Sequence, residues 1–462
     1  MTLDSTSELK LSELKQTSLP NFKSQFSGEI LFPDSEKYHA ARKIWNGMID
    51  RKPVMIAQCK SSADVAAAVL FAKDNNLIVS VRGGGHNVAG NSICEGGLMI
   101  DLSRMKEINI DVEKKTAKVQ AGVVWKELDA ATLPYNLAAV GGTVSDTGIA
   151  GLTLGGGFGW LACIHATAAD NLVSAELVTA RGEVLQVDES HNTDLFWAIR
   201  GGGGNFGIVT VFEYRLHKID PTVTAGMILH PMDKAKEMFQ FYREYVRKAP
   251  DQLMSYSGFI VTPDGMPVAM MLPAWMGAPA EAEKWLRPLR SFGQTVADMV
   301  SEMSYSALQT ILDQAAPPGL RRYWKSGFFT DITDELIDII MKNLETRPSP
   351  LSPFLFFHIR GAMTRLDSNA TAFANRKDQW DGDIISQWTD PNEDEKNIAW
   401  SRKFWNEIEP LTNSVYVNHL GNDDGNDRVR NAYGPNYARL ASLKKKYDPE
   451  NFFRMNNNIL PA

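Results

Sequence analysis

Residues Leu77–Gly90 read LIVSVRGGGHNVAG, and no other stretch restricts the fold so strongly. A short β-branched run, Leu77 to Val81, ends in Arg82 and passes at once into Gly83, Gly84 and Gly85. Only glycine takes positive φ freely and meets a ligand with no Cβ in between. Three in succession after a strand make a concavity of backbone N–H groups that suits a phosphate or pyrophosphate. His86 and Asn87 stand at the lip of that loop and face whatever the phosphates belong to. A surface turn with a histidine beside it accounts for the same residues equally well, because glycine runs are common in loops.

The 462 residues fit two domains with ample core. A formal net charge of −7 argues against a nucleic-acid footprint or an anionic membrane surface. No apolar run approaches the roughly 20 residues that span a bilayer. The first sixteen residues, MTLDSTSELKLSELKQ, are polar and of mixed charge, without the basic-then-apolar order of a secretory signal. They are expected to form a loose arm or a short helix. Cys59, Cys94 and Cys163 are widely spaced with no CxxC pair, which suits a reducing compartment, so a cytoplasmic protein is expected.

Periodicity places a strand at Pro53–Cys59, a helix at Ser61–Asn75 with serine as N-cap, and a strand at Leu77–Val81. This is a βαβ unit that feeds the glycine loop. Short strands are expected at Leu98–Leu102 and Thr116–Val119, and a helix at Val124–Ala131 that leads to Ala138–Val140. Gly141–Gly159 is too rich in glycine for an element interior and must be a loop packed closely on something. Leu177–Thr179 and Val184–Val187 make a hairpin, Thr193–Ile199 a helix and Ile208–Leu216 a strand. After Pro221, amphipathic helices alternate with strands in a stretch rich in Met and Trp. Tyr433–Tyr447 reads as one helix whose last turn, Lys444 to Lys446, reads as a solvated basic face.

Gly202-x-Gly204-x-x-Gly207 fits a dinucleotide pattern, but a helix precedes it and a strand follows. A Rossmann fingerprint needs the reverse order, so that reading is set aside. Asp423-Asp424-Gly425-Asn426-Asp427 lacks the spacing and closing glutamate of a calcium loop and reads as a polar turn, and no metal is expected. His358 and Arg360 share a face of the strand Phe354–Arg360. Arg360 there binds an acidic or carbonyl group of a substrate, or pairs structurally with a carboxylate such as Glu409. Tyr323 and Trp324 are candidate aromatic walls.

Five stretches occur in one order: the RGGGH loop, GLTLGGGFGW at 151–160, DNLVSAELV at 170–178, DLFWAIRGGGGNFGIVT at 194–210, and YGPNYARLASLKKKYDPENFFRMNNNI at 433–459. Together they resemble the FAD-linked oxidases of the berberine-bridge-enzyme group, within the vanillyl-alcohol-oxidase (PCMH-type) flavoprotein family. The resemblance is weakest between about residues 218 and 410. It implies an α+β fold in two lobes: an N-terminal arm (1–27), an FAD domain (28–216), a substrate domain (217–430) of antiparallel sheet covered by helices, and a C-terminal segment (431–462) returning to the FAD domain. It also implies FAD held by Arg82, Gly83, Gly84, Gly85, His86, Asn87, Gly90, Gly142, Thr143, Thr147, Gly148, Gly151, Gly155, Gly157, Asp170, Asn171, Ile208, Tyr433, Asn436, Asn456 and Asn458.

In the family the histidine of RGGGH carries the flavin through its 8α-methyl group, which makes His86 the covalent anchor and raises the flavin potential. Many relatives add a cysteine at a second position, where this chain has Val144, so single attachment in the style of bacterial 6-hydroxynicotine oxidases is expected. Relatives often have a basic tyrosine in Y-x-N-Y. Here the stretch is Tyr416-Val417-Asn418-His419, and His419, with Tyr416 beside it, is the candidate base at neutral pH. If the stretch is a strand, Tyr416 and His419 face opposite sides. The expected reaction is oxidation of a small organic molecule, with hydride leaving a C–H next to O or N and O2 accepting the electrons. A sugar or oligosaccharide oxidase, a dehydrogenase with another acceptor, and a flavin-binding scaffold without a base stay open. So does the choice between monomer and homodimer.

Overall fold

The computed structural model describes Leu14 and residues 18–462, so most of the expected N-terminal arm or helix lies outside the described residues. The part that is described is docked. Leu19–Gln25 is a helix with Leu19 and Phe22 buried, and Phe22 stacks on Phe71 at 4.5 Å.

The first sheet has four strands in the order Glu29–Leu31, Met55–Gln58, Leu98–Asp101, Val79–Arg82, the last three parallel. The helix Ser62–Asp74 crosses between two of them. Its start is set by a capping box: Ser61 Oγ accepts from the Asp64 N–H, and the Asp64 carboxylate accepts from the Ser61 N–H. Strand Val79–Arg82 then delivers the chain straight into Gly83.

A second, antiparallel sheet runs Ile108–Asp111, Thr116–Gln120, Ile208–Arg215, Leu172–Val178, Val184–Asp188. The helix Thr193–Ile199 and the strand Ile208–Arg215 flank the Gly201–Gly204 run in the order the sequence implies.

The third and largest sheet is antiparallel. Its central path is Ile228–Pro231, Pro267–Trp275, Leu253–Val261, Phe354–Ile359, Gln379–Trp388, Arg321–Phe329, Thr412–Ser414. On one face the helices Ala235–Lys248, Ala282–Arg290, Asp334–Leu344 and Asp394–Ile408 bury Phe356, Trp380 and Ile384 among their own apolar residues. The other face looks back at the glycine loops. Side chains alternate along a strand, so Asp381, Asp383, Ile385 and Gln387 share that second face.

Two expectations near the C-terminus are corrected. Residues 433–447 are not one helix: Asn426–Tyr433 and Tyr437–Tyr447 are separated by a 3₁₀ turn at Gly434–Asn436. Gly434 has φ +51°, and Pro435 has no N–H with which to continue a helix. The lysine triplet is not a solvated face throughout. Lys444 is fully buried, and its Nζ donates to Asp448 Oδ2 (2.7 Å) and to the carbonyls of Asn205 (2.8 Å) and Phe453 (2.9 Å). Lys446 and Tyr447 both bond Asp194. These contacts tie the last helix to Asn205 in the Gly201–Ile208 loop and to the helix Thr193–Ile199. No helix among the described residues is long and apolar enough to cross a membrane.

Candidate active site

A cavity of about 410 Å³ lies where the glycine loops meet the third sheet. One wall is backbone. Gly84 packs on Gly148 so closely that a Cβ on Gly84 would lie 2.4 Å from the Gly148 nitrogen, and one on Gly148 would lie 2.4 Å from that of Gly84. The backbone N–H groups of residues 83–87 have no acceptor among the described residues and are free to meet an anion. At Gly151 and Gly204, both of which line the cavity, a Cβ would enter open space.

His86 is largely buried at this wall. Its ring stacks on Trp45 at 4.1 Å, and its Nε2 lies 3.2 Å from Asp146 Oδ1. Hydrogen bonding from His86 in turn holds the Asp146 carboxyl below its ordinary range, against the opposing effect of burial. The Arg322 guanidinium covers the ring of Trp45.

The opposite wall carries side chains. The register Tyr256↔Phe357↔Asp381 and Leu355↔Asp383↔Ser326 sets these residues in rows on the cavity face. Asp381 is wholly buried, and its Oδ1 accepts from Ser326 Oγ at 3.1 Å. His419 points its Nδ1 between the carboxylates, 2.9 Å from Asp383 Oδ1 and 3.3 Å from Asp381 Oδ2. Its ring meets Trp324 edge-on at 5.4 Å, and Trp324 meets Trp45 edge-on at 5.8 Å. A line of four rings therefore runs from His86 across the cavity to His419.

The ionisation of this cluster follows from its packing. Burial and repulsion from Asp383 push Asp381 up to about 6. Burial opposes a charge on His419, but Asp383 and Asp381 outweigh it and carry the imidazole up to about 10. At neutral pH the imidazole holds a proton. This departs from the neutral imidazole expected at His419, and the carboxylates of Asp381 and Asp383 stand beside it. Tyr416 lines the same cavity. Burial pushes its phenol up, and its oxygen accepts from the Gly157 N–H (2.9 Å) and from Asn418 Nδ2 (2.8 Å).

The two-sided strand at Tyr416–His419 is also absent. Val417–His419 is a 3₁₀ turn, so Tyr416, Asn418 and His419 all line one cavity.

Of the residues expected at the cofactor, Gly83, Gly84, Gly85, His86, Asn87, Gly142, Thr143, Thr147, Gly148, Gly151, Ile208, Tyr433 and Asn456 line the cavity. The rest are placed behind it or elsewhere. Arg82 donates to the Ala41 carbonyl, and Gly90 packs against Ile49. Gly155 backs onto the Asn418 side chain, and Gly157 spends its N–H on Tyr416. Asp170 is locked to Arg376 in a buried pair (2.6 Å). Asn171 donates to the carbonyls of His165 and Thr167, and Asn436 to those of Ser368 and Thr371. Asn458 lies outside the lining.

Arg360 is not paired with Glu409. It donates to the carbonyls of Ala249 and Leu253 just beyond the helix Ala235–Lys248, while Glu409 pairs with Arg428. His358 pairs with Asp378 and stacks on Trp380. Trp324 lines the cavity, whereas Tyr323 turns away to bond Asp423. Asp423 and Asp424 hold Lys325, as a polar turn before the helix Asn426–Tyr433 requires. Sequence reading missed Asp381 and Asp383. Their signal was two acids spaced i, i+2 in the strand Gln379–Trp388, with Trp380, Gly382 and Ile384 as immediate neighbours.

Residues 53–188 match the family described as FAD binding domain, and residues 415–460 match the one described as berberine and berberine like. An FAD-linked oxidoreductase of Dictyostelium discoideum is 30% identical, the match covering 95% of this chain and 96% of that one. The chain belongs to the berberine-like FAD-linked oxidoreductases. It is an FAD-dependent oxidoreductase with the α+β two-domain fold of that family. Another relative, the (R)-6-hydroxynicotine oxidase of Paenarthrobacter nicotinovorans, is 30% identical over 94% of this chain and 97% of that enzyme. The crystal structure of 6-hydroxy-D-nicotine oxidase from Arthrobacter nicotinovorans superposes with a TM-score of 0.87 at 29% identity, covering 95% of this chain and 98% of that one. BBE-like 1 of Physcomitrella patens, at 22% identity and TM-score 0.87, shares the fold. The cavity fits FAD on its own terms: unpaired N–H groups for phosphate, glycines that leave room, and a buried imidazole at the end of the loop.

Proposed function

We propose that this oxidoreductase is an oxidase of a small organic molecule that holds FAD covalently through His86 alone and passes electrons to O2. Residues 28–216 with 431–462 would form the FAD lobe, and residues 217–430 the lobe that covers the substrate. The observation that carries the reading is one cavity bounded by His86 on one side and by Asp381, Asp383 and His419 on the other. Bound FAD supplies the two-electron acceptor that takes hydride from a substrate C–H next to O or N.

Every other task falls to side chains. The N–H groups of residues 83–87 hold the pyrophosphate end. His86 turns Nε2 toward Asp146, which leaves Nδ1 as the nitrogen for the bond. Val144, also in the lining, has no nucleophile for a second bond. Asp383 or Asp381 takes the substrate proton, and the imidazolium of His419 lies between the two carboxylates.

Purified protein should be yellow, and the colour should stay with acid-precipitated protein. In His86→Ala the precipitate should be colourless, with a mass equal to that of the bare polypeptide. Anaerobic bleaching of the flavin band by a substrate, followed by hydrogen peroxide on admission of air, would establish the oxidase. Bleaching that O2 reverses only slowly and without peroxide would make the protein a dehydrogenase instead.

A further inference from the structure

The charge of the substrate wall names a substrate class, given the oxidase reading above. Asp381 and Asp383 bring two carboxylates to one face of one strand, and a single cation, His419, meets them there. Neighbouring cations are committed elsewhere. Lys325 is held by Asp423 and Asp424 on the opposite side of its strand, and Arg322 lies over Trp45. Two carboxylates against the one imidazolium leave one negative charge without a cationic partner in a cavity that Phe158, Tyr256, Leu355 and Phe357 also line. A buried charge without a partner is costly, and a neutral alcohol or sugar would leave it so. An ammonium group removes it, and aromatic faces add cation–π attraction.

We propose that the cavity binds a cationic amine, its N–H directed at the Asp381–Asp383 pair and its apolar part among these aromatic side chains. One N–H proton passes to a carboxylate oxygen and frees the nitrogen lone pair. The adjacent C–H bond breaks, its electron pair leaves as hydride to the FAD, and the lone pair forms C=N. The iminium product adds water after release and splits into a carbonyl compound and an amine. The two electrons and two protons reduce O2 to hydrogen peroxide.

Burial and Asp383 together place the Asp381 carboxyl at about 6, so its charge is at hand above that pH. The groups facing it are Asp383 on its own strand, Ser326 on the next, Tyr256 two strands away, and Tyr416 and His419 from the 3₁₀ turn. The tyrosines are neutral and His419 is charged throughout the range below 8.

The test uses flavinylated holoenzyme and three probes: N-methylbenzylamine, benzyl alcohol, and benzyltrimethylammonium, which has no lone pair to form C=N. Binding is read from perturbation of the flavin band, and turnover from anaerobic bleaching. Benzyltrimethylammonium should bind at least tenfold more tightly than benzyl alcohol, and Asp383→Asn should weaken it tenfold or more without affecting the alcohol. N-methylbenzylamine should bleach the flavin at least tenfold faster than benzyl alcohol. If Asp383→Asn fails to fold, the unaltered enzyme decides: affinity for the quaternary ion should fall as pH drops through about 6, and a flat profile overturns the proposal. Faster bleaching by benzyl alcohol, or no perturbation by the quaternary ion, also overturns it and leaves the oxidase standing. Tight binding of the quaternary ion with no bleaching by either reductant supports the cation site and overturns the oxidase reading.

Discussion

The wall built from residues 83–87, 142–151 and 203–204 meets the cavity with backbone, whereas the wall from the third sheet meets it with side chains. On the first, recognition depends on what is missing: a single Cβ on Gly84 would collide with Gly148. On the second it depends on what is present, two carboxylates and an imidazolium whose charges are set by one another. A backbone wall suits a cofactor common to many reactions, because N–H groups read phosphate and little else. A side-chain wall can be rewritten residue by residue, and substrate choice belongs there.

Four substitutions separate the walls. Asp383→Asn should lower kcat/KM by about 10²–10⁴, the range for loss of a proton acceptor, with flavin content unchanged. Loss of flavin in that variant would mean that the walls are not independent. Lys444→Met, behind the backbone wall, strips Asp448 and two carbonyls of their buried partner. It should cost about 3–5 kcal/mol in chemical unfolding. Gly84→Ala should cost about 1–3 kcal/mol, the range for overpacking, and should abolish flavin incorporation while the third sheet stays folded.

The smallest effect concerns pH. Folded His419 keeps its proton up to about 10, against about 6.5 for an ordinary imidazole. The folded chain therefore binds more protons between those values. The stability contributed by this ion pair is complete below pH 6.5 and is lost as pH rises toward 10. Thermal unfolding of His419→Gln should show a flatter decline across that window, and an unchanged slope would remove His419 from the cluster's charge balance.

Legibility followed the same division. The RGGGH loop, the second glycine run and the inverted context of Gly202–Gly207 were readable because glycine is chosen for backbone reasons that act locally. Asp170, Asn171 and Asn436 were expected at the cofactor and lie behind the lining, because a motif says which residues occur together, not which of them face the cavity. The Arg376 guanidinium that claims Asp170 is 206 residues away. Tyr416 and His419 would face opposite sides only in a strand, and the chain instead makes a 3₁₀ turn there that brings both to one cavity.

By itself, then, the sequence determined that a strand passes at once into a glycine bend ending in His86, because steric permission and strand–loop order are properties of neighbouring residues. Only the tertiary structure decided what faces that bend. Asp381 and Asp383 acquire their meaning from sheet register and from an imidazole that arrives from a turn 36 residues later, and the raised proton affinity of Asp381 comes from burial and from Asp383 beside it, which no local pattern records.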